Sequence, residues 1–363
     1  MTDRRPERLA ALVEELQRLH LDGILLTSLS NIRYLTGFAG TSALVFVTGR
    51  GEVLFVSDFR YRTQAAEQVG DFARVLIESQ SLWAGLWREL AHLSHVQVAG
   101  FESANLLHRD FQRLLEGGAR WTWRPTSDVV EGLRERKVPE EVELIRAAAG
   151  VAERALARTL AEVRVGLTEL AVAGILERAL REEGSEYFPF ETIVASGPRS
   201  ALPHARAADR PIARGDLLLI DYGAIVAGYC SDITRTVVVG HADARQREIY
   251  EIVREANARA SAEVRPGMRG RDADAVARDY IDGRGYGEAF GHSLGHGLGL
   301  DVHEAPRLAR GAETPLPVGA VVTIEPGVYV PGWGGVRIED DVHLAATGPE
   351  ILTNFTRDLI ELS

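Results

Sequence analysis

The chain has 363 residues, more than a single domain usually holds, so two domains with two substantial cores are expected. A net charge of -11 without any basic stripe argues against a nucleic-acid surface, and the single cysteine, Cys230, excludes an internal disulfide framework and suits a reducing compartment. No apolar run reaches the length of a membrane span, and Met1-Thr2-Asp3-Arg4-Arg5-Pro6 leads into an amphipathic helix rather than a signal-peptide core, so no membrane partner is expected and a cytoplasmic location is the default.

From the N-terminus, Leu9, Leu12, Val13, Leu16 and Leu19 recur at helical spacing and stop at Gly23, and Ile24-Leu25-Leu26 reads as a strand. Strands over 43–47, 53–56 and 96–99 then alternate with helices over 61–69, 82–93 and about 106–115, the pattern of an α/β domain. Between them, Ser30-Asn31-Ile32-Arg33-Tyr34-Leu35-Thr36-Gly37-Phe38 reads as a connecting loop, its aromatics either exposed for a contact or buried under an ordinary strand connection. The charged run Glu135 to Glu140, which contains Pro139, places a boundary that gives domains 1–134 and 135–363. Beyond it come a long helix from Glu141 to about Leu160, a Thr168-capped helix to Glu183, and helices near 245–262 and 271–282 flanking several strand runs.

Those strands carry the chemistry. The run Asp216 to Gly223 and the run Tyr229 to Val239 read as a hairpin that, centred between Val226 and Ala227, sets Asp221 directly opposite Asp232. Two facing carboxylates repel, and the arrangement makes sense with a cation between them. A second hairpin from Val321 to Glu339 lets Glu325 face Glu339, with Arg337 on the same side because residues two apart on a strand share a face. The same alternation puts Asp341 and His343, but not Asp340, on the side of Glu339. Four acids embedded in apolar strands would each cost several kcal/mol if buried without a counter-ion. The segment Gly291 to Glu304 adds His292, His296 and His303 among glycines, poor helix material and good close-approach backbone. Cys230 reads as a small apolar filler rather than a ligand.

At these residues the chain resembles the Xaa-Pro peptidases of the pita-bread metallopeptidase clan, aminopeptidase P and prolidase, which are related to methionine aminopeptidase and creatinase. The motifs are Leu219-Ile220-Asp221-Tyr222-Gly223, Ser231-Asp232-Ile233-Thr234-Arg235-Thr236, Gly295-His296-Gly297-Leu298-Gly299, Val302-His303-Glu304, Ile324-Glu325-Pro326-Gly327-Val328-Tyr329 and Gly335-Val336-Arg337-Ile338-Glu339-Asp340, with Ala195 to His204 upstream. The resemblance covers the whole chain and implies a creatinase-type α/β N-terminal domain followed by an α+β pita-bread catalytic domain. It implies Asp221, Asp232, His296, Glu325 and Glu339 as ligands of two divalent metal ions, and His204, His292, His303 and Arg337 as residues of the substrate site. It also implies a homodimer in which one subunit's first domain walls the other's site, a role that the aromatics and the cation of the 30–38 segment would suit. Ala205 and Phe59 stand where the family commonly has glycine, and both bear on pocket shape rather than on metal binding.

The chemistry fits amide hydrolysis, because two divalent cations can activate a shared water and clamp its attack. An oxygen-rich donor set favours Mn, with Co, Fe or Zn as alternatives. Glu325 is the candidate to carry the proton to the leaving nitrogen, and His303 the candidate donor to the oxyanion. His204 and His292 are expected to orient the scissile carbonyl and the proline side, with Tyr329 as a further wall residue. The expected substrate is a proline-containing peptide or dipeptide, and Arg307, Arg310 and Arg337 are candidate cations for a proline carboxylate. A methionine aminopeptidase does not need the first 130 or so residues, and a metal-free creatinase-like hydrolase or binding module has no use for all five ligands.

Overall fold

The computed structural model describes residues 3–363, and these form two compact units that divide between Arg134 and Glu135.

The first unit is an α/β layer built on a six-stranded mixed sheet, in the order Arg74–Glu78, Val53–Asp58, Ala43–Thr48, Gly23–Leu26, Val98–Glu102, Thr122–Thr126. Gly23–Leu26 runs antiparallel to Ala43–Thr48 and parallel to Val98–Glu102, and its residues are buried throughout, which is why it reads as an unbroken apolar run rather than an alternating one. Leu25, Phe46, Val56, Leu86 and Leu90 sit in its core. The helices Arg5–Arg18, Arg62–Gln68, Leu82–Leu90 and His108–Gly117 fall where the periodicity puts them. The 30–38 segment does not form a loop. Residues Leu29–Thr36 are a helix, capped by the Ser28 hydroxyl on the Asn31 amide and closed by Gly37, and it buries Tyr34 and Phe38. The reading with exposed aromatics is thereby corrected: eight residues give too few turns for periodicity to register, and only the caps announce the helix.

The second unit places helix pairs Pro139–Glu162 with Glu169–Glu183, and Ala244–Glu263 with Gly270–Gly283, around two main sheets. One sheet orders Glu361–Leu362, Ile233–Val239, Leu217–Tyr222, Ile193–Ser196, and the other Glu304–Leu308, Gly295–Gly297, Val321–Ile324, Asp340–Ala345, Gly348–Ile351. Each has its own apolar core, Leu156, Leu176, Leu218 and Ile233 under the first and Ile249, Val253, Val322 and Val342 under the second.

In the first sheet Asp221 pairs with Thr234, and the hairpin ladder continues with Tyr229 opposite Val226. The expected pairing of Asp221 with Asp232 is therefore wrong. The turn is centred one residue later, on Ala227 and Gly228, both at positive φ as a two-residue hairpin turn of the type I′ class requires. Moving the centre by one residue changes the pairing by two, which preserves parity, so the two aspartates still share a face as diagonal neighbours.

In the second sheet Ile324 pairs with Asp340 and, beyond a break, Gly327 pairs with Arg337, so the register carries Glu325 opposite Glu339 as expected. The ladder parts at these two residues. Glu325 instead donates its amide to Leu294 O and Glu339 donates to Thr234 O, while Asn257 of the Ala244–Glu263 helix donates to the carbonyls of Ile324 and Ile338 that flank the gap. The seam between the two sheets is where the acidic side chains converge.

Candidate active site

The nine residues that the sequence assigns as metal ligands or to the substrate site line one cavity of about 610 Å³ in the second unit. Asp221 lies on Leu217–Tyr222, Asp232 just before Ile233–Val239, His296 in the middle of Gly295–Gly297, and Glu325 and Glu339 at the parted seam. Asp232, His296 and Glu339 offer ligand atoms within 4.8 Å of one another, and Glu325 Oε1 lies 3.5 Å from His296 Nε2. Asp221 turns one oxygen onto the guanidinium of Arg337. His296 can be set so deep because its neighbours are glycine: a Cβ on Gly295 would lie 2.0 Å from Thr323 O, and one on Gly297 2.1 Å from Ala305 O.

The electrostatics of this cluster are those of a cation site. Asp221, Asp232 and Glu339 are 8%, 5% and 2% exposed, and Oδ1 of both aspartates lies buried without a hydrogen-bond partner. Burial first, then the neighbouring carboxylates, pushes Asp232 and Glu339 well above the usual carboxylate range, and burial pushes Glu325 up to about 8. His296 is driven down to about 4, chiefly by burial, so its ring is neutral at pH 7. Nδ1 faces Gly297 O at 3.0 Å and donates to it, which leaves the Nε2 lone pair directed toward Asp232 and Glu325 at 3.7 and 3.5 Å. A lone pair facing carboxylates is repulsive unless a cation lies among them, and a histidine held through its other nitrogen by a carbonyl is the usual posture of a metal ligand. The donor set, four carboxylates and one imidazole, therefore fits hard divalent metal ions.

Around the acids lies a second ring of polar groups. Arg337 donates to Thr234 Oγ1 at 3.0 Å, Tyr329 Oη at 2.7 Å and Pro203 O at 3.2 Å. Tyr329 Oη lies 2.9 Å from His292 Nε2, and His292 Nδ1 donates to Ser293 O at 2.8 Å. Arg337, Tyr329 and His292 thus form a directed chain, and His292, pushed down to about 4 by burial and by Arg337, is neutral within it. The ring of His303 packs edge-on to that of His296 with centroids 4.4 Å apart, and burial followed by Arg307 lowers its pKa. His204 is exposed on the cavity rim beside the buried Ala205.

Other sequence readings meet different ends. Asp341 is on the side of Glu339 and accepts the Asp232 amide at 3.2 Å, whereas His343 leaves the site and pairs with Glu350 on the neighbouring strand. Of the three candidate carboxylate clamps, Arg307 lines the cavity and Arg337 lies inside it already engaged, while Arg310 is not part of its wall. Cys230 is buried with Val142, Ile145 and Leu298, as an apolar filler would be. Sequence reasoning missed Thr234, whose hydroxyl donates to Glu339 Oε2 at 2.6 Å and accepts from Arg337. Its place two residues after Asp232 on the same strand face was the available signal. Phe190 and Ile193, two apolar residues of the wall, also went unremarked.

Fold and site together define a two-domain hydrolase of the pita-bread class with a metal-binding cluster. Residues 8–136 match the creatinase/prolidase N-terminal domain and residues 143–346 match metallopeptidase family M24, and the chain belongs to that family. It is 38% identical to a Xaa-Pro dipeptidase of Pyrococcus furiosus, over 98% of this chain and 99% of that one. Among solved structures it is similar to a Xaa-Pro dipeptidase from Bacillus anthracis, with a TM-score of 0.95 and 40% identity over 99% of this chain and 100% of that one. An X-Pro aminopeptidase from Thermotoga maritima superposes with a TM-score of 0.89 and 35% identity, over 97% of this chain and 99% of that one.

Proposed function

We propose that this protein is a Xaa-Pro metallopeptidase acting chiefly on Xaa-Pro dipeptides, with two divalent metal ions, manganese foremost, held by Asp221, Asp232, His296, Glu325 and Glu339. The observation that carries the reading is the convergence of these five donors, two with an orphaned buried oxygen, on one peptide-sized cavity. When bound, the metal pair supplies the Lewis acidity that makes water a nucleophile near neutral pH.

This chain's own residues do the rest. Glu325, partly open to the cavity, takes the proton of the attacking water and returns it to the prolyl nitrogen. His303 donates to the developing oxyanion, and His204 and His292 orient the scissile carbonyl and the proline ring. Arg337 holds Asp221 and, through Tyr329, fixes His292. An Xaa-Pro amide has no N–H for a general peptidase to grasp, and a site that addresses the carbonyl and ring does not need one. Arg307, a cation on the cavity wall, fits the free carboxylate of a C-terminal proline, which favours dipeptidase over aminopeptidase P. The names of the Pyrococcus and Bacillus relatives point the same way.

The test is one Xaa-Pro dipeptide assayed beside one Xaa-Pro-Yaa tripeptide. Dipeptide preference that falls at least about tenfold in Arg307→Met supports the dipeptidase reading. Equal or better cleavage of the tripeptide, with Arg307→Met unaffected, replaces it with aminopeptidase P. From the family resemblance we also infer a homodimer, which sedimentation of the metal-loaded protein checks and a monomer overturns.

A further inference from the structure

Glu169 opens the helix Glu169–Glu183, is 0% exposed, and does not itself line the cavity. Its Oε1 accepts from the Ser196 amide at 2.8 Å and the Ser196 hydroxyl at 2.7 Å, and its Oε2 accepts from Arg199 Nε at 2.9 Å and the Ala208 amide at 3.1 Å. One carboxylate therefore ties both ends of the segment from 196 to 208, the segment that brings Pro203, His204, Ala205 and Arg206 to the cavity. Arg199 closes the loop on itself by donating to Arg206 O at 2.6 Å. The far side is stapled as well: Gly335 N donates to Ser200 Oγ at 2.8 Å, and Arg337 donates to Pro203 O.

A helix N-terminus welcomes a carboxylate, but an exposed one satisfies that preference at no desolvation cost. Glu169 instead spends all its accepting capacity inward, on donors that belong to the cavity loop. We propose that Glu169 is a positioning residue, a clamp that presets His204 for the incoming peptide and so governs substrate grip rather than metal binding. The identity of the peptide rests on the Xaa-Pro reading above; the clamp does not.

The test uses metal-loaded Glu169→Gln and, separately, Arg199→Met and Arg199→Lys, with an Ala-Pro dipeptide as substrate. Metal content and amide exchange across residues 197–208 are read alongside. With the negative charge gone and one oxygen replaced by NH2, one pair of donors, either Arg199 with the Ala208 amide or the Ser196 amide with its hydroxyl, loses its acceptor. KM should then rise about tenfold while kcat stays within about twofold, since loosened positioning weakens grip before it touches the reacting water. Exchange in 197–208 should speed up, metal content should hold, and Arg199→Lys, which keeps a cation beside Glu169, should recover part of the KM that Arg199→Met loses. Where Glu169→Gln does not fold, the Arg199 pair decides. Folded variants with wild-type KM and wild-type loop exchange overturn the clamp, as does a fall in kcat and metal content at constant KM. A wild-type protein inert on the dipeptide overturns the peptide reading alone, and loop exchange still decides the clamp.

Discussion

Glu339 and Asp340 are chain neighbours, both buried, on opposite sides of the same backbone, and their surroundings differ in one respect. Asp340 accepts from Arg235 at 2.8 Å, Arg357 at 2.7 Å and the Thr353 hydroxyl at 2.7 Å; burial alone would raise its carboxyl, and the two arginines more than reverse that. Glu339 has the Thr234 hydroxyl, but faces Glu325 and Asp221, and burial with those charges raises it. Arg235 further donates to the carbonyls of Thr234 and Glu339, so the compensated side is the scaffold on which the uncompensated side is built. Burial does not mark the site; buried charge left for something else to balance does.

The sharpest way to break this contrast is on the acidic side. Exhaustive chelation should abolish hydrolysis and Mn or Co should restore it, and Asp232→Asn or Glu325→Gln should lower kcat by about a thousandfold or more with the circular dichroism spectrum intact. Full activity in protein that elemental analysis finds free of metal would end the metal reading. On the compensated side, Arg235→Met leaves Asp340 short of a partner and takes a donor from four carbonyls, those of Thr234, Glu339, Phe355 and Thr356, and should cost about 3–5 kcal/mol in urea unfolding. A variant as stable as wild type would mean that Asp340 needs no such balance. At the boundary, Thr234→Val should weaken metal affinity about tenfold or more, read by competition with a chelating dye, because the hydroxyl orients Glu339 and Arg337 together. The smallest effect is expected in the first unit, where Glu102 accepts from the Ser28 amide and the Asn31 side chain, each at 2.7 Å. Glu102→Gln should cost about 1–3 kcal/mol by thermal unfolding and leave metal stoichiometry at the wild-type value.

The acids and histidines were legible because a charged residue inside an apolar strand run is costly, and several in register are costlier still. The Glu325 and Glu339 pairing was readable for a further reason, since its register is set by the same ladder on both sides of the break. The Asp221 and Asp232 pairing was misread because Ala227 adopts a positive φ that its side chain does not advertise, and only Gly228 announces the turn. Helix Leu29–Thr36 was hidden by brevity, although Ser28 and Gly37 were legible as its caps. Glu169 escaped for a different reason: what it does depends on a partner distant in sequence, at Ser196, which no local pattern encodes, whereas strand alternation from Asp232 could have placed Thr234 on the site's face but not named its partner Glu339.

Asn257 joins the two carbonyls on either side of the parted ladder, Ile324 O and Ile338 O, from within the Ala244–Glu263 helix. A sheet cut at its most charged point would ordinarily fray there, independently of whatever packs behind it. With the cut sutured from the helix, the helix and the acidic seam become one cooperative unit. Heat or denaturant should release that helix and the capacity to hold ions in a single step, so the protein passes from competent to unfolded without an intermediate that keeps its shape and has lost its chemistry.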